Sequence, residues 1–160
     1  MDKARILTAL AEHLDAELEG LAAAAAAARE GATHEEAKPE NEYDTRALEQ
    51  SYLAGAQAAR VEVLAAACEA VKGRVPKTFD GDSPAAVGAA IVVEDEEGEV
   101  RRYYLCDVGG GARLEVDGQR WWVLTPSSPL GKRLLGTREG DAVQHLARGR
   151  SVELEVVEIF

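Results

Sequence analysis

Bases, cysteines, aromatics and long apolar runs are all scarce in this chain of 160 residues, and each shortage excludes something. Eighteen Lys and Arg stand against 29 Asp and Glu, a formal net charge of −11. Phosphates must be neutralised by cations, so this balance argues against direct, sequence-specific nucleic-acid binding and leaves any such role to a partner. Cys68 and Cys106 are far apart, with no CxxC and no nearby histidine pair. That excludes a disulfide framework or a structural zinc site and fits a reducing cytoplasm. The longest apolar stretch, Leu21 to Ala28, stops at Arg29, too short to span a bilayer, and no basic segment leads into a leucine-rich core. Neither export nor a membrane association is expected. The length suits one compact domain, or two small ones if one is not globular.

Alanine is what the chain has in excess, and it is unevenly spread. Of 29 alanines 22 fall in residues 1–70, whereas 13 of 15 valines come later. Such a shift predicts a helical half joined to a β-rich half, and hence an α+β protein. The boundaries are placed at 1–72 for the helical part, 73–86 for a linker and 87–160 for the second domain. Two glycines and two prolines mark that linker.

Leu7, Leu10, Leu14, Leu18 and Leu21 recur at helical spacing, continued by Ala25 and Ala28, and Glu30-Gly31 predicts the stop. A second stripe runs through Leu48, Tyr52, Ala56, Ala59, Val63, Ala66 and Ala70. Together they predict an antiparallel coiled coil, a rod of about 35 to 40 Å. In the second half the predicted strands are 87–94, 100–107, 113–116, 120–125, 142–146 and 151–159, forming a small antiparallel sheet. One helix interrupts them, with Ser128 as N-cap, Pro129 at its first position and Gly136 as its stop. Tyr103-Tyr104 and Trp121-Trp122 are adjacent in strands, so one ring of each pair faces the core and the other the rod or a partner. Gly109-Gly110-Gly111 reads as a hairpin turn, since no Lys-Ser/Thr follows to make a phosphate loop.

The connection between the helices concentrates the chemistry. Glu30, Glu35, Glu36, Glu40, Glu42 and Asp44 crowd one turn with Lys38 as its only fixed cation. Two readings are open. The segment is a solvated acidic turn, with Thr33 and Glu36 as a capping box; or it is a tip whose mutually repelling carboxylates are relieved by a shared hard cation such as Mg²⁺. His34 reads as a solvated turn residue, His13 as helix surface and His145 as a strand residue.

Glu42-Tyr43 followed by Leu48-Glu49-Gln50-Ser51-Tyr52-Leu53-Ala54-Gly55 resembles the tip and second coiled-coil helix of the bacterial Gre transcription elongation factors. The block Ser128-Pro129-Leu130 through Leu134-Leu135-Gly136, then Gly140-Asp141-Ala142-Val143 and a closing strand, is similar to their C-terminal domain. The resemblance implies an FK506-binding-protein-like C-terminal domain that docks on RNA polymerase at its secondary channel, near Ser128, Pro129 and Leu130. It further implies that tip carboxylates, drawn from Glu35, Glu36, Glu40, Glu42 and Asp44, sit near the catalytic centre. Glu36 and Glu40 are the candidates to share Mg²⁺ with the polymerase, stimulating cleavage of backtracked RNA. On that reading the chain has no tightly bound cofactor and no active site of its own, and acts as a cytoplasmic monomer.

The tip departs from the family pattern D-L-x-E-N-A-E-Y. Aligned without a gap from Glu42-Tyr43, Glu36 falls on the Asp position and Pro39 on the Glu position; putting Glu40-Asn41 on the E-N pair takes a one-residue deletion. A secondary-channel binder that inhibits or retunes the polymerase without cleavage is therefore the alternative. A peptidyl-prolyl isomerase, suggested by topology alone, is a further alternative, but such a pocket needs several aromatics on one concave face, and the chain holds two Phe with its Trp and Tyr paired elsewhere.

Overall fold

Alanine and leucine at helical spacing give two long helices, α1 (Lys3–Thr33) and α2 (Arg46–Lys72), in the computed structural model, which describes residues 2–33, 46–80, 82–147 and 149–160. The valine-rich half forms β1 (Ala90–Asp95), β2 (Val100–Leu105), β3 (Arg113–Val116), β4 (Gln119–Leu124), α3 (Pro129–Leu134), β5 (Ala142–Ala147) and β6 (Arg150–Ile159). The class is α+β. Residues 14–70 make one compact unit and residues 1–13 with 71–160 another. No helix among the described residues is long and apolar enough to cross a membrane.

The first leucine stripe is the inward face of α1. Leu7, Leu10 and Leu14 are buried, Leu18, Leu21 and Ala25 are half-buried, and Ala28 is exposed. The helix runs on through Gly31 to Thr33 instead of stopping at Glu30-Gly31. The second stripe is a misreading of phase. Tyr52 and Val63 are each 72% exposed, and Ala56, Ala59, Ala66 and Ala70 are exposed as well. The inward face instead carries Ala54, Ala58, Val61, Leu64, Ala65, Cys68 and Val71. Two residues are about 200° on a helix, so α2 has apolar residues at helical spacing on two opposite faces. Burial selects the face with Val61, Leu64, Cys68 and Val71, which removes more apolar area from water than one built mainly of alanine.

The six strands lie in the order β3-β4-β2-β1-β6-β5. All neighbours run antiparallel except β2 and β4, so the sheet is mixed where an antiparallel one was expected. The reason lies at Gly109-Gly110-Gly111. This is not a hairpin turn, because β2 and β3 do not pair. The loop carries the chain past one strand position, and the β3–β4 hairpin then slots β4 beside β2 in the same direction. Gly109 and Gly111 take φ of 70° and 91°, a region that disfavours residues with a Cβ. The Gly111 and Ala112 amides donate to the Val123 and Gly109 carbonyls.

Both sheet faces are covered. On one, Leu130 and Leu134 of α3 pack with Ile91, Val93, Tyr103, Leu105, Leu154 and Val156, and Trp122 lies against this cluster. On the other, Tyr104 and Trp121 are fully buried. The compact unit that holds the sheet also includes the first turns of α1, whose Ile6, Leu7 and Leu10 are buried. Neither ring pair therefore leaves an open aromatic wall.

Arg5 pairs with Asp117 of the β3–β4 turn, and Lys3 places its ammonium 4.5 Å from the centre of the Phe79 ring. The Lys3 Nζ is buried without a hydrogen-bond acceptor. Burial lowers its pKa, because desolvation disfavours the charged form. The sign follows from linkage: the unfolded chain binds the proton more tightly, so stability rises with pH between the lowered folded value and the ordinary lysine value of 10.5. Lys3→Met, which keeps the packing and removes the charge, is expected to raise the thermal midpoint by a few degrees at neutral pH and to flatten its rise as pH climbs toward the ordinary lysine value of 10.5, measured by calorimetry.

Candidate functional site

The segment from Thr125 to Gly136 is fixed by a set of local hydrogen bonds. Ser128 has extended backbone, and its Oγ accepts the Gly131 amide at 3.1 Å while donating to the Thr125 carbonyl at 2.8 Å. One hydroxyl thus caps α3 and ties it to the end of β4. Pro129 follows at the first helical position, where no amide hydrogen is needed. Gly136, with φ of 86°, ends the segment, and its amide donates to the Ala85 carbonyl at 2.7 Å while the Ala85 amide donates to Thr137 at 2.7 Å. These two bonds fasten the linker across the end of α3.

Of the three docking candidates, Pro129 is exposed and Ser128 half-buried. Leu130 is buried in the core cluster and holds α3 on the sheet, so its side chain is not available to a partner. Around them α3 exposes Lys132 and Arg133, with Leu135 just beyond. The tip candidates Glu35, Glu36, Glu40, Glu42 and Asp44 all lie outside the described residues. No group of three or more His, Cys, Asp or Glu positioned to hold a metal ion occurs among the described residues.

Sequence reasoning missed two polar clusters. Just past α2, Arg74 donates to Cys106 Sγ at 3.4 Å and to Asp107 at 2.6 Å. Burial pushes the Cys106 thiol up. Asp107 is partly desolvated, but the hydrogen bond and charge of Arg74 prevail and hold its carboxyl below the usual value. Neither cysteine forms a disulfide, and both are buried. In the β1–β2 turn, buried Asp95 accepts the Glu97 and Glu99 amides at 3.0 and 2.9 Å and pairs with Arg101 at 3.1 Å. Asp followed three residues on by Gly98, which closes the chain reversal, was the available signal for it. His145 titrates below its usual value through burial and then through the nearby charges of Arg101 and Arg133.

Clefts open on this domain. One of about 700 Å³ is lined by Asp95, Glu96, Glu97, Glu99, Arg101, Arg150, Ser151 and Val152. One of about 220 Å³ is lined by Arg74, Val75, Lys77, Val87, Gly88, Tyr104 and Asp107. The larger has no aromatic wall, unlike the pocket an isomerase of this topology needs.

Two long helices followed by a mixed sheet with a capped helix across one face define an α+β protein with a helical N-terminal part and a β-rich C-terminal part. The family model of the C-terminal domain of the GreA/GreB transcription elongation factors matches residues 82–160, and this part of the chain belongs to the Gre-type transcription elongation factor family. Among solved structures it is similar to GreA factor homolog 1 (Gfh1) of Thermus thermophilus, with 20% identity, 94% of each chain covered and a TM-score of 0.39. It is also similar to Gfh1 of Thermus aquaticus, with 21% identity, 95% and 94% covered and a TM-score of 0.42. A GreA/GreB factor from Nitrosomonas europaea has 20% identity over 57% of this chain and 74% of that one, with a TM-score of 0.38. No curated protein matches the chain.

Proposed function

We propose that this chain is a regulator of transcript elongation that binds bacterial RNA polymerase at the secondary channel and brings the acidic segment between α1 and α2 toward the catalytic Mg²⁺. The observation that carries the reading is the Gre-type C-terminal domain over 82–160 on a chain whose two helices, 31 and 27 residues long, flank that segment. A carboxylate supplied to a weakly held second Mg²⁺ completes a metal pair that polarises the phosphodiester and activates water, so backtracked RNA is cleaved by the polymerase and not by this chain. Glu36 and Glu40 would supply that carboxylate, and the protein acts as a monomer in the cytoplasm without a cofactor of its own. A second reading, inhibition or retuning without cleavage, is favoured by Lys38 and Pro39, a cation and a proline that stand among the tip carboxylates in the sequence.

The test is a purified elongation complex stalled on backtracked RNA, with cleavage followed over a Mg²⁺ titration. The expected result is faster cleavage that competes with an added Gre factor. Competition with no gain in cleavage selects the second reading. Neither cleavage nor competition removes both.

A further inference from the structure

On a chain of net charge −11, one part of the sheet is basic and aromatic. The β3–β4 ladder sets Arg113 directly opposite Trp122, and the parallel β2–β4 ladder sets Tyr103 beside Trp122. All three therefore share one face, across three adjacent strands. Two residues back along β4 and β2, Arg120 and Arg101 lie on that same face. The rings of Tyr103 and Trp122 are 6.1 Å apart and tilted by 47°. Trp122 is half-buried, whereas Arg113 and Arg120 are exposed.

The arginines differ in their freedom. Arg101 is held by Asp95 and Glu99, but Arg113 and Arg120 have no ion-pair partner among the described residues. Glu115, across the ladder from Arg120, is the one acid among the residues that β2, β3 and β4 place on this face. Arg and Trp are the side chains most enriched where interfaces concentrate their binding energy, since Arg forks onto carboxylates and a ring supplies rigid apolar area.

We infer that the Arg113–Trp122–Arg120 face is a docking surface for an acidic segment of a protein partner, with carboxylates on the two arginines and an apolar residue on Trp122. Charge complementarity sets the chemistry of the occupant: the two guanidinium groups fork onto carboxylates and the half-buried indole between them takes an apolar side chain, a combination that an acidic protein segment carries. The inference rests on the polymerase reading in one respect, that the polymerase is where the segment is sought.

The experiment measures binding of core RNA polymerase by fluorescence anisotropy, for the wild-type chain and for the Arg113→Glu/Arg120→Glu double variant, with a circular dichroism check of fold. A loss of roughly tenfold or more with the fold intact, and a weaker salt dependence, is expected, because two surface charge pairs become repulsive. Trp122→Phe retains most of the binding and Trp122→Ala loses it. Equal affinity for wild type and double variant overturns the docking surface and leaves the polymerase reading standing. If wild type does not bind polymerase, that reading fails and a probe decides the surface. Tryptophan fluorescence is then followed against a glutamate-leucine peptide and an oligothymidylate of equal charge. A peptide response lost in the double variant upholds the inference; a larger response to the oligonucleotide, or none to either, overturns it.

Discussion

Gly131→Ala is expected to lower stability by about 3 kcal/mol, a fall of roughly 6 to 12 °C in the thermal midpoint for a chain of this size. A methyl on Gly131 would collide with the Thr125 carbonyl oxygen and come within 2.7 Å of Ser128 Oγ. The oxygen it strikes is backbone, so relief requires moving α3 or the end of β4. That movement breaks the hydroxyl bridge that Ser128 makes between them and tilts Leu130 and Leu134 off the core. Overpacking of this kind costs about 1 to 3 kcal/mol and loss of the cap about 1 more. Ser128→Ala alone isolates the cap and should cost about 1 kcal/mol. Gly20→Ala sets the contrast. That glycine sits in α1 with nothing within 4 Å of the added carbon, and the change should stabilise by about 0.5 to 1 kcal/mol. Chemical denaturation of the three variants measures all of this, and equal effects at Gly131 and Gly20 would refute the steric account.

The Ser128-Pro129 start of α3 was legible because capping and proline geometry are local. So were the strands, where β-branched residues and glycine turns punctuate the chain every few residues. The phase of α2 was not. Its alanines satisfy the 3/4 spacing on two opposite faces, and which face turns inward is decided by what packs against it, a property of three dimensions. The parallel β2–β4 pair was hidden for a similar reason. A glycine triplet announces a reversal but not whether the next strand pairs with the last one or passes it. Arg74 illustrates the rest: it sits in a segment read only as linker, and its partners Cys106 and Asp107 lie more than thirty residues on. The register that unites Arg113, Trp122 and Tyr103 exists only once the sheet order is known. The carboxylates of the tip stand at the other extreme, visible in sequence through composition and family resemblance and outside the described residues.

Substitution at those carboxylates is expected to have the largest functional effect. If Glu36 or Glu40 completes the coordination of the polymerase's second Mg²⁺, then Glu36→Ala or Glu40→Ala should cut stimulated cleavage by roughly 10- to 100-fold. Affinity for polymerase should stay unchanged if, as proposed, docking is carried by the C-terminal domain. The metal dependence separates ligation from a generic loss of charge. A carboxylate ligand raises local affinity for a hard cation, so each variant should need more Mg²⁺ to reach half its maximal rate, and excess Mg²⁺ should restore part of the activity. Lys38→Ala should move the other way. Removing a cation from among the tip carboxylates makes the site more negative and lowers the Mg²⁺ requirement, by an amount that shrinks as salt screens it. The two alignments of the tip predict different dominant residues: the ungapped one puts the larger loss at Glu36, and the one with a single deletion puts it at Glu40. If both variants instead lose polymerase binding in parallel with cleavage, the acidic segment docks rather than delivers a ligand, and the Mg²⁺ midpoint will not move.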